Sequence, residues 1–394
     1  MGRRKDTSGG RGRRVAPASS LMTYAAITGW GKCMPPSVLT NADLASLMET
    51  DDAWITSRTG IRERRVSHVT GIELSHVASA RALACAGLEA KDVDLIIYGS
   101  CSNDETVPNS ASGVQFRLGA FNAASMDINT ACTSFMYGLS TATAMIRTGV
   151  VRNAVVIGVE LISQFMDWTN RGVAVLFGDG AAAVVLQATD TKEGLIGEKL
   201  GCSAEVRSIL RVRGMGTTYA HHNVMLGDTS WNFDGQEIFK RAVVAMAQAS
   251  HDVLAKTGHT VEELDLVIPH QANLRIIESV AKRVGAPMER VYVTVQKYGN
   301  MSSATIPVAL VDALEEGRIK PGALILMPAF GAGLTWSSHL IRWGTRTTPL
   351  GTTDLELPPP KQTALERVKE LLAIKQPPDR SDAGMMAAKL AEDL

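Results

Sequence analysis

Short apolar runs alternate with alanine-rich stretches along most of this chain. Three runs are continuously apolar rather than alternating in polarity: DLIIYGSC (94–101), VVIGVEL (155–161) and AAAVVLQA (181–188). Strands of a parallel sheet that is covered on both faces give such runs, because neither face meets water. Between Met22 and about Trp343 the pattern therefore predicts an α/β fold.

The N-terminal end has a different composition. Residues 1–20 contain six Arg or Lys residues with Gly and Ser between them, and no apolar stretch of a secretory signal follows. An organelle transit peptide, a disordered arm and sequence upstream of a start at Met22 are all compatible with this composition. We expect residues 1–21 to be a dispensable, disordered basic extension.

The C-terminal end also departs from the α/β pattern. From about Thr345, Thr, Pro and Gly dominate, which predicts a linker. The stretch 362–375 then places four apolar side chains on one helical face: Leu365, Val368, Leu371 and Leu372. We expect residues 345–394 to form a linker and an appended helix, which packs on the domain surface or on a partner.

Phrases of the first half return in the second half in the same order. The matched phrases are DLIIY (94–98) with DLVIP (265–269), and FGDG (177–180) with FGAG (330–333). Between them, a strand, a turn and a helix follow in each half, so Cys132 and Asn300 stand at equivalent strand-to-helix junctions. Chance similarity is the alternative, but matches in series favour duplication. We predict related halves at 22–196 and 197–344, whose junctions meet about a pseudo-twofold axis.

Composition and charge exclude several classes of protein. The 394 residues carry 40 basic and 40 acidic side chains, which argues against nucleic-acid binding through bulk charge. A hydrophobic fraction of 45% excludes a largely disordered chain. No apolar run reaches the ~18 residues of a membrane span. The five cysteines include no C-x-x-C pair, so we expect no disulfide scaffold or zinc site and a cytoplasmic location.

Cys132 is the first candidate for chemistry. The run that follows it is compatible with a helix and ends near Gly149, so Cys132 lies at or near a helix N-terminus. The helix dipole and free N–H groups there would stabilise a thiolate, lower the thiol pKa and hold a thioester oxyanion. From position alone, a buried structural cysteine is an equally good interpretation.

His270 and Asn300 complete a candidate set. His270 follows the strand DLVIP, and ligands gather at the carboxyl ends of strands in α/β folds. Asn273 and Arg275 lie on the same segment. Taken alone, His270 is also compatible with a hydrogen-bonded core residue, and Asn300 with a turn or helix cap. Together with Cys132 on related loops, they form a more specific set than any one member.

The chain resembles the 3-oxoacyl-[acyl-carrier-protein] synthase III (KAS III) family of condensing enzymes. The resemblance covers roughly residues 22–343 and rests on motifs in the family's order: WITSRTGIR (54–62), DINTAC (127–132), FGDG (177–180), FDGQEIFK (233–240), HQANLR (270–275), YGN (298–300) and FGAGLTW (330–336). It implies a thiolase fold, in which pseudo-twofold-related α/β halves form αβαβα layers.

The resemblance also implies a reaction. Cys132 would attack an acyl-CoA thioester and carry the acyl group. His270 and Asn300 would promote decarboxylation of malonyl-ACP, the malonyl thioester of the acyl carrier protein, and stabilise the enolate oxygen. The carbanion would then attack the acyl-Cys to give 3-oxoacyl-ACP. Loss of CO₂ generates the nucleophile without a strong base, and no metal or cofactor is required.

Further roles carry over by position. The backbone N–H groups of Cys132 and Ala332 would bind the oxyanion. The predicted contacts of CoA and substrate are Trp54, Arg58, Arg171, Asn273 and Gly235. Those of the acidic carrier protein are Arg275, Lys240 and Lys282. The family also suggests a homodimer.

Some positions depart from the family's pattern. Thr133-Ser134 replaces a common Ala-Gly after the nucleophile, and Ala332 replaces the middle Gly of a Phe-Gly-Gly-Gly turn. Val107 stands where some members have a bulky Phe at the floor of the acyl pocket. We therefore expect an acceptor longer or bulkier than acetyl.

Two alternatives to fatty-acid initiation remain open. The enzyme could condense or transfer acyl groups in a specialised pathway, although plain transfer does not need His270 and Asn300. A non-catalytic partner subunit of the same fold would have lost catalytic residues, yet all three are present.

Overall fold

The computed structural model describes residues 23–217 and 229–374. The strands are β1 (Tyr24–Cys33), β2 (Val38–Thr40), β3 (Glu63–Arg65), β4 (Leu95–Gly99), β5 (Ala124–Ile128), β6 (Asn153–Leu161), β7 (Asp179–Thr189), β8 (Gly194–Cys202), β9 (Leu210–Arg213), β10 (Ser230–Phe233), β11 (Leu266–Val267), β12 (Leu324–Gly331) and β13 (Thr335–Arg342). The helices are α1 (Asn41–Ala45), α2 (Asp52–Thr59), α3 (Gly71–Ala86), α4 (Ser110–Leu118), α5 (Ser134–Arg147), α6 (Arg171–Ala174), α7 (Gly235–Thr257), α8 (Leu274–Val284), α9 (Val295–Tyr298), α10 (Thr305–Glu315) and α11 (Ala364–Ile374).

The main sheet consists of two half-sheets with the same strand order. Within the described residues it has nine strands, in the order β11-β12-β13-β8-β1-β7-β6-β4-β5. In the first half, β6 pairs in parallel with β4 and antiparallel with β7. In the second half, β12 pairs in the same way, in parallel with β11 and antiparallel with β13. An isolated parallel bridge between Val267 and Val291 takes the place beside β11 that β5 takes beside β4. The predicted pair of related α/β halves is therefore confirmed, and they join at the pair Ala25–Gly194.

The layers follow the predicted αβαβα order. Helices α5 and α10 lie between the half-sheets and share one apolar core with both. Helices α3 and α4 cover the outer face of the first half-sheet, and α7 and α8 cover that of the second. Residues Thr305 to Leu314 of α10 are all buried, as expected of a helix that is covered on all sides.

Each copy of the repeated phrase, DLIIY and DLVIP, begins with an aspartate that has the same structural role. The Asp94 carboxylate accepts the backbone N–H of Asn153, the first residue of β6, at 2.9 Å. The Asp265 carboxylate accepts the N–H of Leu324, the first residue of β12, at 2.7 Å. The same side chain thus ties the same pair of strands together in each half, because each carboxylate satisfies a backbone donor at the sheet end.

Some predictions about chain organisation concern segment boundaries. The predicted boundary between 196 and 197 falls within β8, which begins the second half at Gly194. The predicted N-terminal extension, residues 1–21, and the last part of the predicted C-terminal segment, residues 375–394, lie outside the described residues. Within residues 23–217 and 229–374, none of the helices combines the length and hydrophobicity needed to cross a membrane.

Residues 345–363 run along the first half without forming a helix or strand. The Arg346 guanidinium donates to the carbonyl oxygen of Cys85, the last turn of α3, at 2.9 Å. Glu356 forms an ion pair with Arg81 of α3 at 2.5 Å. The segment then leads into α11, which packs on the surface of its own domain through apolar side chains.

Candidate active site

The nucleophile candidate lies in a strained turn between β5 and α5, which we call the cysteine turn (residues 129–134). The Asn129 side chain accepts the N–H of Ala131 at 3.1 Å, and the Ser134 hydroxyl donates to the carbonyl of Ala131 at 2.7 Å. Ala131 has a φ of 52°, an uncommon left-handed conformation for a residue with a Cβ. Cys132 follows directly and is partly exposed to solvent.

The second half contains the same turn before α10, which we call the asparagine turn (residues 300–305). The Asn300 side chain accepts the N–H of Ser302 at 2.8 Å, and the Thr305 hydroxyl donates to the carbonyl of Ser302 at 2.9 Å. Ser302 has a φ of 46°. The junctions are therefore equivalent, as predicted, but the position matching Asn300 is Asn129. The position matching Cys132 is Ser303.

The asparagine turn brings the three candidate residues together. The cysteine turn packs directly against the asparagine turn, and the Ser302 side chain acts on the Cys132 thiol to lower its pKa. Nδ1 of His270 lies 2.6 Å from Oγ1 of Thr305. Asn300 begins the turn and is nearly fully buried. Side chains that are far apart in sequence thus share one small region at the carboxyl ends of strands.

His270 is a neutral, oriented imidazole. It follows β11, its backbone N–H donates to the carbonyl of Pro328 at 2.9 Å, and burial lowers its pKa to about 3. When the Thr305 hydroxyl donates to the carbonyl of Ser302, Nδ1 of His270 must be protonated, so that it can donate to the Thr305 oxygen. When that hydroxyl turns to donate to Nδ1, the proton resides on Nε2. Thr305 can therefore hold either neutral form of the ring.

The Cys132 thiol is not acidified, which corrects the expectation of a lowered pKa. The protein packed around the sulfur desolvates it and raises the pKa of Cys132 to about 12, and the Glu160 charge contributes to this increase. The interactions of the sulfur with Ser302 and with the Cys132 backbone N–H lower that pKa, but desolvation of the sulfur outweighs them. The resting thiol is protonated, so its attack requires a proton acceptor.

Sequence reasoning missed Glu160, a fully buried carboxylate beside the site. It accepts hydrogen bonds from the hydroxyls of Ser102 at 2.6 Å and Ser302 at 2.9 Å, and from the backbone N–H of Cys101 at 3.2 Å. Burial raises its pKa. A single acidic residue within the apolar run VVIGVEL was a signal that could have found it, because a buried charge needs dedicated partners.

The predicted oxyanion donors lie on neighbouring segments. A Cβ placed on Gly331 would come within 2.8 Å of the Cys132 backbone nitrogen, so the chain at Gly331 passes directly against the cysteine turn. The Thr335 hydroxyl donates to the carbonyl of Thr130 at 2.9 Å and fixes this approach. Ala332 follows Gly331 and is thereby placed next to Cys132.

Three of the residues expected to contact CoA form one cluster. The Arg58 guanidinium lies 4.7 Å and that of Arg171 4.8 Å from the centre of the Trp54 ring. Arg171 also donates to the carbonyl of Glu49 at 2.8 Å. Two cations and an aromatic face can bind an adenine ring and phosphate groups. The structure thus brings together side chains from α2 and α6.

The other two residues expected to contact CoA or substrate, Asn273 and Gly235, lie at the N-terminal ends of α8 and α7. Asn273 caps α8, because its side-chain oxygen accepts the N–H of Ile276 at 2.9 Å, and only its NH₂ group remains for a ligand. Gly235 is the exposed first residue of α7.

Val107, predicted to line the acyl pocket, lies on the surface of the single chain. Its surface is 85% exposed, because it lies on the outward loop between β4 and α4. The predicted carrier-protein residues are exposed on α7 and α8: Lys240, Arg275 and Lys282. Lys240 forms an ion pair with Glu237 at 3.5 Å.

Comparison with known proteins identifies the family. Residues 126–204 match the family model of 3-oxoacyl-[acyl-carrier-protein (ACP)] synthase III, and residues 254–343 match that of its C-terminal part. Over 349 residues the chain is 50% identical to beta-ketoacyl-[acyl-carrier-protein] synthase III 2 of Vibrio cholerae, covering 89% of this chain and 96% of the relative. The chain belongs to the 3-oxoacyl-[acyl-carrier-protein] synthase III family. As a member it is an acyltransferase of the condensing type.

Other members of the synthase III family support the same assignment. The chain is 45% identical to beta-ketoacyl-[acyl-carrier-protein] synthase III of Roseiflexus castenholzii, covering 82% of this chain and 99% of the relative. The crystal structure of 3-oxoacyl-[acyl-carrier-protein] synthase III from Aquifex aeolicus superimposes with a TM-score of 0.76 at 40% identity, covering 81% of this chain and 100% of that one. The thiolase fold is thereby confirmed. The match to the Vibrio protein covers 349 residues, or 89% of this chain. Because the chain has only 343 residues up to and including Trp343, this match continues beyond Trp343.

Proposed function

We propose that this enzyme condenses an acyl-CoA starter with malonyl-ACP to give 3-oxoacyl-ACP, CO₂ and CoA, the initiating step of fatty-acid synthesis. The observation that carries the proposal is the gathering of Cys132, His270 and Asn300 around the asparagine turn. A nucleophile and two hydrogen-bonding groups in one region are what a two-stage acyl transfer and decarboxylation requires. The reaction needs no metal or cofactor.

In the first stage Cys132 takes the acyl group. Because its thiol is protonated and His270 is neutral, we assign the imidazole as acceptor of the thiol proton. The sulfur attacks the thioester carbonyl, and the backbone N–H groups of Cys132 and Ala332 hold the oxyanion. The bond between that carbonyl and the CoA sulfur breaks, and CoA leaves with the proton.

In the second stage the malonyl thioester loses CO₂. The Asn300 side-chain oxygen is engaged by Ser302, so its NH₂ group is the available donor to the thioester oxygen. His270 supplies a second donor from Nε2 when Thr305 donates to Nδ1. The enolate carbon attacks the acyl-Cys carbonyl, a carbon–carbon bond forms, and the Cys132 sulfur leaves as a thiolate that solvent reprotonates.

The other binding roles extend the same proposal. The cluster of Trp54, Arg58 and Arg171 binds the nucleotide end of CoA, with Asn273 and Gly235 as further substrate contacts. Three exposed cationic residues receive the acidic carrier protein: Arg275, Lys240 and Lys282. A cytoplasmic location stays a prediction from the cysteine pattern.

A homodimer fits the exposed apolar groups beside β5. This strand is the outer edge of the main sheet, and an open edge can pair with another chain. Val107, Phe116 and Phe121 nearby are 85%, 72% and 68% exposed. A second copy placed there would cover these side chains. Val107 would then complete an acyl pocket of the partner rather than its own, with room for an acceptor larger than acetyl.

Intact-protein mass spectrometry of the full chain tests the first stage. After incubation with acyl-CoAs of increasing length, we expect a mass gain of one acyl group that is absent in Cys132→Ala. A preference beyond acetyl supports the open pocket, whereas strict use of acetyl-CoA contradicts it. Absence of an adduct with every acyl-CoA, or equal labelling of the variant, would refute the proposed nucleophile.

Release of CO₂ from malonyl-ACP tests the second stage. The acylated enzyme should release CO₂ and form 3-oxoacyl-ACP in equal amounts. Acyl transfer without CO₂ would instead favour an acyltransferase of a specialised pathway.

A further inference from the structure

The segment that follows the part matched by the C-terminal family model ends in a helix near the CoA cluster. The match to the C-terminal family model ends at residue 343, and the chain then continues to α11 at Ala364–Ile374. On the way, the carbonyl of Pro358 lies 2.7 Å from Nε2 of His68. Together with the contacts to α3, this guides the segment across the first half, so that α11 reaches the domain at a defined place.

Helix α11 is anchored by both packing and a hydrogen bond. Ala364, Val368 and Leu371 are buried at 1%, 0% and 7% exposure. On the neighbouring face, the Arg367 guanidinium donates to the side-chain oxygen of Gln164 at 3.1 Å. A capping arrangement at Thr363, whose hydroxyl accepts the N–H of Glu366 at 3.2 Å, begins the helix. These contacts fix both the start and the rotation of α11.

The apolar face of α11 joins the core beneath the CoA cluster. That core contains residues from the two chain segments that carry the cluster: Leu39, Leu44 and Ile55 from the first segment (residues 38–59), and Ile162, Trp168 and Val173 from the second (residues 162–175). Helix α11 contacts β2 in the first segment, and Arg367 reaches Gln164 in the second. It therefore packs against both segments at once.

The two segments also meet at the cluster itself. Arg171 from the second segment lies over Trp54 from the first and donates to the carbonyl of Glu49. Trp54 is packed against the same core as Val368. Since protein cores are close-packed, a change in how α11 fills this core is transmitted to the separation of the two segments. The Trp54 ring and the Arg171 guanidinium would then no longer be held against each other.

We propose that α11 is a positioning element for acyl-CoA, which holds Trp54 and Arg171 in register to bind the nucleotide end of the substrate. The inference rests on the proposed function and adds a specificity determinant beyond the residues that the C-terminal family model matches. It requires α11 to favour thioesters that carry the CoA nucleotide. Acylation by a thioester without the nucleotide depends only on the region around Cys132 and should not need α11.

The test compares two acyl donors with the same acyl chain. One is acyl-CoA, and the other is the N-acetylcysteamine thioester, which lacks the nucleotide. In Val368→Ala/Leu371→Ala, we expect kcat/KM for Cys132 acylation by acyl-CoA to fall about tenfold, mainly through KM, because binding groups are displaced. With the N-acetylcysteamine thioester we expect no change. Arg367→Ala should show the same selectivity with a smaller loss.

Matched variants separate positioning from general destabilisation. Lys369→Ala, on the exposed face of α11, should leave both donors unaffected. A chain ending after Gln362 should lose selectivity for acyl-CoA, whereas a chain ending after Lys375, which retains α11, should not. Equal losses with both donors, or equal losses in both truncated chains, would overturn the inference. Failure of the wild-type enzyme to be acylated by either donor would instead refute the proposed function.

Discussion

The cysteine turn and the asparagine turn have the same backbone but opposite surroundings. Both begin with an asparagine whose side chain accepts an N–H two residues on, and both pass through a left-handed residue, Ala131 or Ser302. Yet Asn129 is exposed whereas Asn300 is buried. The duplicated turn therefore contributes a cysteine thiol in one half and a buried asparagine amide in the other.

The residues matching the nucleophile differ in the same way. Cys132 is partly exposed, whereas Ser303 is buried and its hydroxyl donates to the carbonyls of Gly99 and Val159 at 2.8 and 3.1 Å. The hydroxyl of Ser303 is therefore committed to the backbone. The backbone geometry alone therefore does not produce a nucleophile, and the exposure of the side chain distinguishes the two positions. Substitutions at matching positions should show this separation.

The largest effect is expected at the nucleophile pair. Cys132→Ala should abolish the acyl adduct and all product, because no other group of the turn can form the thioester. Ser303→Ala removes two buried hydrogen bonds and should lower thermal stability, but it should retain acylation by acyl-CoA. Mass spectrometry and thermal melting of both variants give the comparison. Loss of the adduct in a folded Ser303→Ala protein would mean that the two positions are not functionally distinct.

The asparagine pair should show the next largest effect. Asn300→Asp keeps the oxygen that accepts the Ser302 N–H but removes the NH₂ donor. We expect release of CO₂ by the acylated enzyme to fall about a hundredfold, as for loss of an oxyanion donor. The matched change Asn129→Asp, at an exposed site, should leave CO₂ release within a factor of about two. Comparable losses in both variants would contradict the assigned role of Asn300.

The sequence carried the duplication and the motif residues, but not their environment. The repeated DLxI phrase could be found because Asp94 and Asp265 do the same structural work locally. Cys132, His270 and Asn300 were found through short motifs. The high pKa of Cys132 could not be predicted, because it results from desolvation of the sulfur by the folded chain and from Glu160, a residue on another strand. The exposure of Val107 could not be predicted either, because its place in the motif order does not say which way the loop faces.

A smaller effect is expected at the last position of each turn. Thr305→Val keeps the side-chain shape but removes the hydroxyl that orients His270. We expect CO₂ release to fall about tenfold, the upper range for one lost hydrogen bond. The matched variant Ser134→Ala loses two hydrogen bonds, to the carbonyl of Ala131 and from the N–H of Thr130, both within the cysteine turn, and should slow acylation rather than CO₂ release. Single-turnover acylation and CO₂ release, measured separately, distinguish the two; identical profiles would remove the orienting role of Thr305.

The smallest effect should come from Glu160, which contacts the asparagine turn through Ser302 and acts on Cys132 of the cysteine turn through its charge. The Glu160 charge raises the pKa of Cys132, so Glu160→Gln should lower that pKa. At a fixed pH below the pKa, the thiolate fraction increases, and alkylation of Cys132 by iodoacetamide should become several-fold faster. Asp179→Asn is the control, because that buried carboxylate is bonded instead by Ser163 and Ser67. If alkylation of Cys132 as a function of pH were unchanged in Glu160→Gln, then desolvation alone would keep the thiol protonated. The Glu160 carboxylate would then make no contribution to the difference between the cysteine turn and the asparagine turn.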